Sequence, residues 1–250
     1  MREWISGRNP VFEALSAGRR HFFSLRIAQG VQETGRVQEI ISLCRLHKLP
    51  VERVSRLELD ALASGNQGIA LETSAYPYSN LPDVFDLAAS RGEPPLILIL
   101  DTLQDPQNLG TLLRTAEVTG VHGVLLPFRH TATVTPAVVH ASSGASEHLL
   151  VVQINLAQAI TSLKEAGVWV IGLESGAQAL PPEQVRLDGP LALVVGSEAD
   201  GMRSLVRASC DLLLRLPMRG QVASLNAAVA GSIALYLAWQ ARSFPGRLDR

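Results

Sequence analysis

The stretch DPQNLGTLLRTAEVTG, Asp105 to Gly120, comes three residues after PLILILD, an apolar run from Pro95 that ends in Asp101. A short continuous apolar run reads as a strand buried on both faces, and the leucines that follow recur at helical spacing. A strand, turn and helix of this kind need only one cap, yet Asp105, Asn108 and Arg114 all fall within it. Asn108 would serve well as a helix N-cap, and Arg114 as an ordinary surface partner of Glu117. Polar groups crowded at the carboxyl end of a buried strand also mark where open parallel sheets place their chemistry.

Beyond this stretch, HGVLLP, LLVVQI, VWVIGLE, LALVVGSE and DLLLRLP repeat the apolar pattern and alternate with helix-like segments. The alternation predicts an α/β domain with a mostly parallel sheet from residue 95 to 250. Two more strand ends are unusually furnished. One is GSEADG, Gly196 to Gly201, with Glu198 at the start of the expected next helix; the other is LPMRGQVASLN, Leu216 to Asn226. Ser224 reads as the cap of a final apolar helix running to about Gln240. Asn226 would then be an odd amide at its opening, since burial without partners costs about 1–3 kcal/mol.

Residues 1–75 carry a shorter pattern: a helix over VFEALSA with Asn9 and Pro10 at its start, a strand FFSLRIA, a helix bearing Val37, Ile40, Ile41 and Cys44, and a strand VERV. Ser55 and Glu58 then have capping-box spacing, GNQG (65–68) a turn composition, and IALE closes a small α/β unit. Proline-punctuated residues 76–94 read as a linker.

At 250 residues and 47% hydrophobic, the chain suits one large or two small folded domains. The net charge of −1 lacks a strongly basic footprint, although arginine dominates the cations, with Lys48 and Lys164 the two lysines. Cys44 and Cys210 stand far apart, outside any paired-cysteine motif, and His122, His130, His140 and His148 share no helix face at ligand spacing. No metal, no membrane span, no export leader and a cytoplasmic setting are expected. Neither GxGxxG nor GxxxxGK[ST] occurs, which disfavours dinucleotide or nucleoside triphosphate enzymes. Glycine-bearing loops late in the sheet suit an adenosine without phosphate.

Together, DPQNLGTLLRTAE, VVGSEADGM and LRLPMRGQVASLNAAVA resemble the three ordered motifs of the SpoU/TrmH branch of the SPOUT RNA methyltransferases, as does TPAVVHASSGASE between them. SGRNPVFEAL and GNQGIA resemble the substrate-binding domain that precedes the catalytic domain in this branch, itself similar to kink-turn-binding ribosomal proteins. The resemblance implies methyl transfer from S-adenosylmethionine to a ribose 2′-hydroxyl, a deep trefoil knot, and a homodimer formed through the catalytic domain and its last helix. It assigns catalytic roles to Asn108, Arg114, Glu198, Ser224 and Asn226, and cofactor contacts to Leu173, Gly196, Gly201, Leu216, Met218 and Leu225. Arg8, Asn9 and Gln67 are implied RNA contacts. Because the N-terminal domain is present, the expected target is a guanosine of large-subunit (23S) ribosomal RNA. A tRNA 2′-O-methyltransferase, an antibiotic-resistance rRNA methyltransferase and a non-catalytic RNA-binding protein with the knotted fold are the alternatives.

Overall fold

A computed structural model describes residues 2–197 and 200–246, which divide into two compact units. The first comprises Met1–Pro77 with Thr133–His148, the second Tyr78–Ala132 with Leu149–Arg250.

In the first unit, β1 (Arg2–Ser6), α1 (Arg8–Ala17), β2 (Phe22–Ala28), α2 (Arg36–Leu46), β3 (Val51–Val54), α3 (Arg56–Leu62) and β4 (Ile69–Ser74) build a sheet of order β1-β4-β2-β3. Val11, Ala14 and Leu15 recur on one face of α1 and Val37, Ile40, Ile41 and Cys44 on one face of α2; all are buried, as are Leu25, Ile27, Ile69 and Leu71 of the sheet. Helix α3 opens on the expected capping box: Glu58 N donates to Ser55 Oγ at 3.2 Å, and Ser55 N to Glu58 Oε2 at 2.8 Å. Gly18, in the left-handed region at φ 63°, ends α1. The cap expected at Asn9 is a correction: α1 begins at Arg8 behind Gly7, so Asn9 sits exposed in the first turn.

The second unit begins with α4 (Leu81–Arg91), which occupies most of the expected linker. A proline in the first turn is compatible with a helix, because the missing N–H has no intrahelical partner there. The chain continues through β5 (Leu96–Leu100), α5 (Pro106–Val118) and β6 (Gly123–Leu126), leaves for α6 (Pro136–Ala141) in the first unit, and returns at β7 (Val151–Gln153). Then come α7 (Leu156–Glu165), β8 (Trp169–Leu173), β9 (Leu191–Val195), α8 (Ser204–Ser209), β10 (Leu212–Leu214) and α9 (Ala227–Ala241). The strands form one parallel sheet in the order β10-β8-β9-β5-β6-β7. Every residue of β5 and β9 is buried, as a sheet covered on both faces requires.

Residues 133–148 therefore group with the first unit instead of the 95–250 domain drawn from sequence. The buried Glu147 carboxylate explains this: it takes a two-pronged bond from the equally buried Arg20, at 2.8 Å to each oxygen, and Arg20 also reaches Glu3 and Ser74 O. Removing one partner of such a pair would leave an uncompensated buried charge.

Candidate active site

The stretch Asp105 to Gly120 lies where β5 meets α5, and the helix starts earlier than Asn108 suggested. Asp105 is its N-cap, accepting from Gln107 N at 2.9 Å, with Pro106 in the first turn. Asn108 is thus a first-turn residue whose side chain is not the cap. It accepts a hydrogen bond from Asn226 Nδ2 at 3.2 Å, across 118 residues of sequence. Asn226 is the N-cap of α9, its Oδ1 accepting from Ala228 N at 2.9 Å and Val229 N at 3.2 Å. Two sequence expectations are corrected here. Ser224 does not cap α9, which begins three residues later, and Asn226 is exposed instead of buried. Both ends of its amide are engaged all the same, the oxygen by the cap and the nitrogen by Asn108.

Arg114 projects from the exposed side of α5, six residues beyond Asn108. Thr115 Oγ1 meets Ser232 Oγ at 2.9 Å, and a Cβ on Gly231 would stand 2.6 Å from Leu112 and 3.0 Å from Val195. Glycine at 231 therefore lets α9 lie close against α5 and β9, which holds Asn226 opposite Asn108. At the far end of α9, Arg242 donates to the carbonyls of Pro94 at 2.7 Å, Pro95 at 3.0 Å and Gly189 at 2.6 Å.

Beside this junction is a cavity of about 490 Å³, within the range of small-molecule sites. Leu173, Gly196, Gly201, Leu216, Met218 and Leu225 all line it, and so does Ser224. These come from the carboxyl ends of β8 and β9 and the segments after β10. Because β9 and β10 flank β8 on opposite sides, the loops leaving these strands diverge and open a crevice.

The loop after β9 folds back tightly: Ser197 and Gly201 exchange backbone hydrogen bonds at 2.9 and 3.1 Å, with Gly201 in the left-handed region at φ 67°. A Cβ at Gly196 would lie 2.2 Å from Gly201 C and 2.3 Å from Met202 N, so only glycine admits this fold-back. Glu198 lies outside the described residues.

Sequence reasoning missed the group that anchors this loop. Asp101, fully buried at the end of β5, accepts from Arg203 N at 2.8 Å and Arg203 Nε at 2.7 Å. The end of β5 thus grips the chain just past the β9 loop. An acid ending an otherwise apolar strand was the available signal, since a buried carboxylate requires a partner. Glu174 and Arg207, also on the cavity wall, form a further paired contact. Met202 and Cys210 pack where a Cβ on Gly172 would fall, at 2.7 and 3.0 Å. Burial pushes the Cys210 thiol up to about 11, so it acts there as a packing group and not as a nucleophile.

In the first unit, Arg8, Asn9 and Gln67 are brought together. Buried Asn66 donates to Asp60 Oδ1 and Ala63 O and accepts from Gly68 N, which fixes the GNQG turn. Gln67, at φ 51°, accepts from Arg8 N at 3.1 Å, so the two turns form one exposed edge.

Comparison with known proteins agrees with this geometry. Residues 95–236 match the SpoU rRNA Methylase family, and residues 4–79 match the RNA 2′-O ribose methyltransferase substrate-binding domain. A Bacillus subtilis protein named for the TrmH family of tRNA/rRNA methyltransferases, YacO, is 39% identical over 246 residues, covering 96% of both chains. The structure of an AdoMet-bound rRNA methyltransferase from Sinorhizobium meliloti superposes with a TM-score of 0.77 at 23% identity, over 96% of this chain and 87% of that one. The A. aeolicus TrmH/SpoU tRNA modifying enzyme matches 66% of this chain and 87% of its own, with a TM-score of 0.55 at 24% identity. The chain belongs to the SpoU rRNA methylase family and is an S-adenosylmethionine-dependent RNA 2′-O-methyltransferase.

Proposed function

We propose that the protein methylates the ribose 2′-hydroxyl of a guanosine in large-subunit (23S) ribosomal RNA, as a cytoplasmic homodimer. The observation that carries the reaction is the Asn226–Asn108 hydrogen bond beside a cavity lined by glycine-bearing strand ends and by the neighbours of Asn226, Leu225 and Ala227. The substrate class rests on the N-terminal unit: the rRNA methyltransferase from S. meliloti matches 96% of the chain, the tRNA enzyme only 66%.

The cavity suits the cofactor. Its volume accommodates a nucleoside-sized ligand, Gly196 and Gly201 allow close backbone approach, and Leu173, Leu216, Met218 and Leu225 offer apolar contact to an adenine. When bound, S-adenosylmethionine supplies an electrophilic methyl group on a sulfonium. The protein's task is to orient the ribose hydroxyl and favour alkoxide character as its proton leaves. Asn108 and Asn226 hold each other in place, with Ser224 beside the cavity and Glu198 as ordering groups. Arg114, from the same or the partner subunit, binds the target phosphate or the developing alkoxide as a cation. In this role the planar, delocalised cation acts by its charge and its fork of donors and not as the base.

The dimer reading is supported by α9, whose Val229, Ile233 and Tyr236 are 45%, 40% and 46% exposed beside an apolar cleft that includes Leu237 and Phe244. A trefoil knot is consistent with the chain path, since α9 packs on β9 and α5 although β10 is the sheet edge beyond β8. Arg8, Asn9 and Gln67 form the RNA-contacting edge of the first unit. Two free thiols are consistent with a reducing cytoplasm.

The test is transfer of labelled methyl to separated large-subunit rRNA, small-subunit rRNA and tRNA, with mapping of any product. Label on one large-subunit nucleotide is expected. Label on tRNA would keep the chemistry and overturn the substrate, and no label on any RNA would favour a binding-only protein.

A further inference from the structure

Three successive exposed residues, Phe128, Arg129 and His130, follow buried Pro127 at the carboxyl end of β6. Phe128 is 66% exposed, against 57% for Trp169 and 46% for Tyr236. His130 sits in the left-handed region at φ 60°, a conformation that side-chain-bearing residues rarely adopt.

The loop is nevertheless held at its base. Leu103 O, in the turn leading to Asp105 and Asn108, accepts from both Ala132 N at 2.7 Å and Thr131 Oγ1 at 2.9 Å. Strands β5 and β6 are parallel neighbours, so this loop and the Asn108 turn leave the sheet at the same edge. The cavity lies on the other side of β5, at the ends of β8 and β9. An exposed phenyl ring, an arginine and a histidine thus flank the Asn108–Asn226 junction opposite the cavity.

We propose that Phe128 and Arg129 form an RNA-binding subsite for nucleotides next to the target, Phe128 stacking on an unpaired base and Arg129 pairing with a phosphate. The proposal rests on the RNA methyltransferase reading above. The chemistry favours single-stranded RNA, since a lone ring offers a stacking face to any base and a guanidinium a fork that matches phosphate. It also places basic charge beside the junction in a chain whose net charge is −1.

The experiment compares full-length wild type, Phe128→Ala, Phe128→Trp and Arg129→Ala in methyl transfer to large-subunit rRNA, small-subunit rRNA and tRNA, with S-adenosylmethionine affinity measured in parallel. For the RNA that wild type labels, Phe128→Ala should raise KM about tenfold, the size of one lost stacking contact, with cofactor affinity unchanged. Phe128→Trp should restore it. Arg129→Ala should weaken binding and reduce the salt dependence of KM by about one phosphate contact. An active wild type with unchanged KM in Phe128→Ala, or with cofactor affinity lost in parallel, would overturn the subsite alone. A wild type silent on every RNA would overturn the subsite together with the reading beneath it.

Discussion

Asn226 Nδ2 donates to Asn108 Oδ1 at 3.2 Å while Asn226 Oδ1 caps the first turn of α9, so one amide joins the starts of two helices 118 residues apart. The two halves of that amide are separable. Asn226→Ala should lose about 1 kcal/mol of stability through the cap and at least about tenfold in methyl transfer. Asn226→Ser should keep the cap and the stability yet share the loss of transfer. Urea unfolding and initial rates read the two effects, and full activity in Asn226→Ser would show the link to Asn108 to be dispensable.

Asp101 binds Arg203 through both a backbone and a side-chain nitrogen, so its replacement should release the loop after β9. Asp101→Ala leaves the Arg203 backbone N–H without its acceptor, and a hydrogen bond to a charged group is worth about 1.5–3 kcal/mol. Weaker cofactor binding by about tenfold or more, measured by calorimetry, is expected, with Asp101→Asn between the two. Unchanged affinity in Asp101→Ala would mean that the loop holds without its anchor.

Gly196→Ala tests the same loop from beneath. The new methyl would stand 2.2 Å from Gly201 C, and backbone cannot move aside as a side chain can. Loss of cofactor binding is expected with about 1–3 kcal/mol of destabilisation. A variant with wild-type affinity would contradict the close approach.

The parallel sheet was legible because β5 and β9 must be apolar on both faces, and β2 and β3 match FFSLRIA and VERV residue for residue. Strand β1 was missed because REWIS carries two charges in five residues. Their partners, Glu72 for Arg2 and Arg20 for Glu3, come from elsewhere in the fold. Helix α4 was hidden by Pro82 in its first turn and by Pro77, Pro94 and Pro95 around it, and the caps at Asp105 and Asn226 by better-looking residues nearby. Cap choice depends on where the incoming chain enters the turn, which a local pattern does not specify. The Asp101–Arg203 bond spans 102 residues, so the acid that ends β5 signals that a partner exists without saying which residue it is.

Buried His122 gives the fold an acid limit. Its Nδ1 accepts from Leu96 N at 3.0 Å, so the ring proton sits on Nε2, 3.3 Å from Glu93 Oε2 without hydrogen-bond alignment. Burial, with Arg91 and Arg242 nearby, holds its pKa below the ordinary value, and Glu93 opposes the shift only in part. The neutral form is therefore favoured in the folded state. Its contribution should be complete above pH about 6.5 and decline as pH falls from there toward the folded-state value. Urea unfolding between pH 7.5 and 5 should show the decline, and His122→Gln should flatten it. An identical slope in the variant would assign the acid sensitivity elsewhere.

Arg114 projects from α5 in the same unit as the junction, where a fork-shaped cation matches phosphate better than an ammonium does. Arg114→Lys should lower turnover at saturating RNA by about tenfold or more while leaving cofactor affinity intact. Nearly full turnover would refute a dedicated guanidinium role.

The most direct test of the central claim is nucleoside analysis of RNA treated with wild-type protein and S-adenosylmethionine carrying an isotopically labelled methyl group. The account predicts label on the ribose of a single nucleoside, as a 2′-O-methyl group, and its absence with Asn108→Ala. Label on a base, or ribose label undiminished in Asn108→Ala, would contradict it.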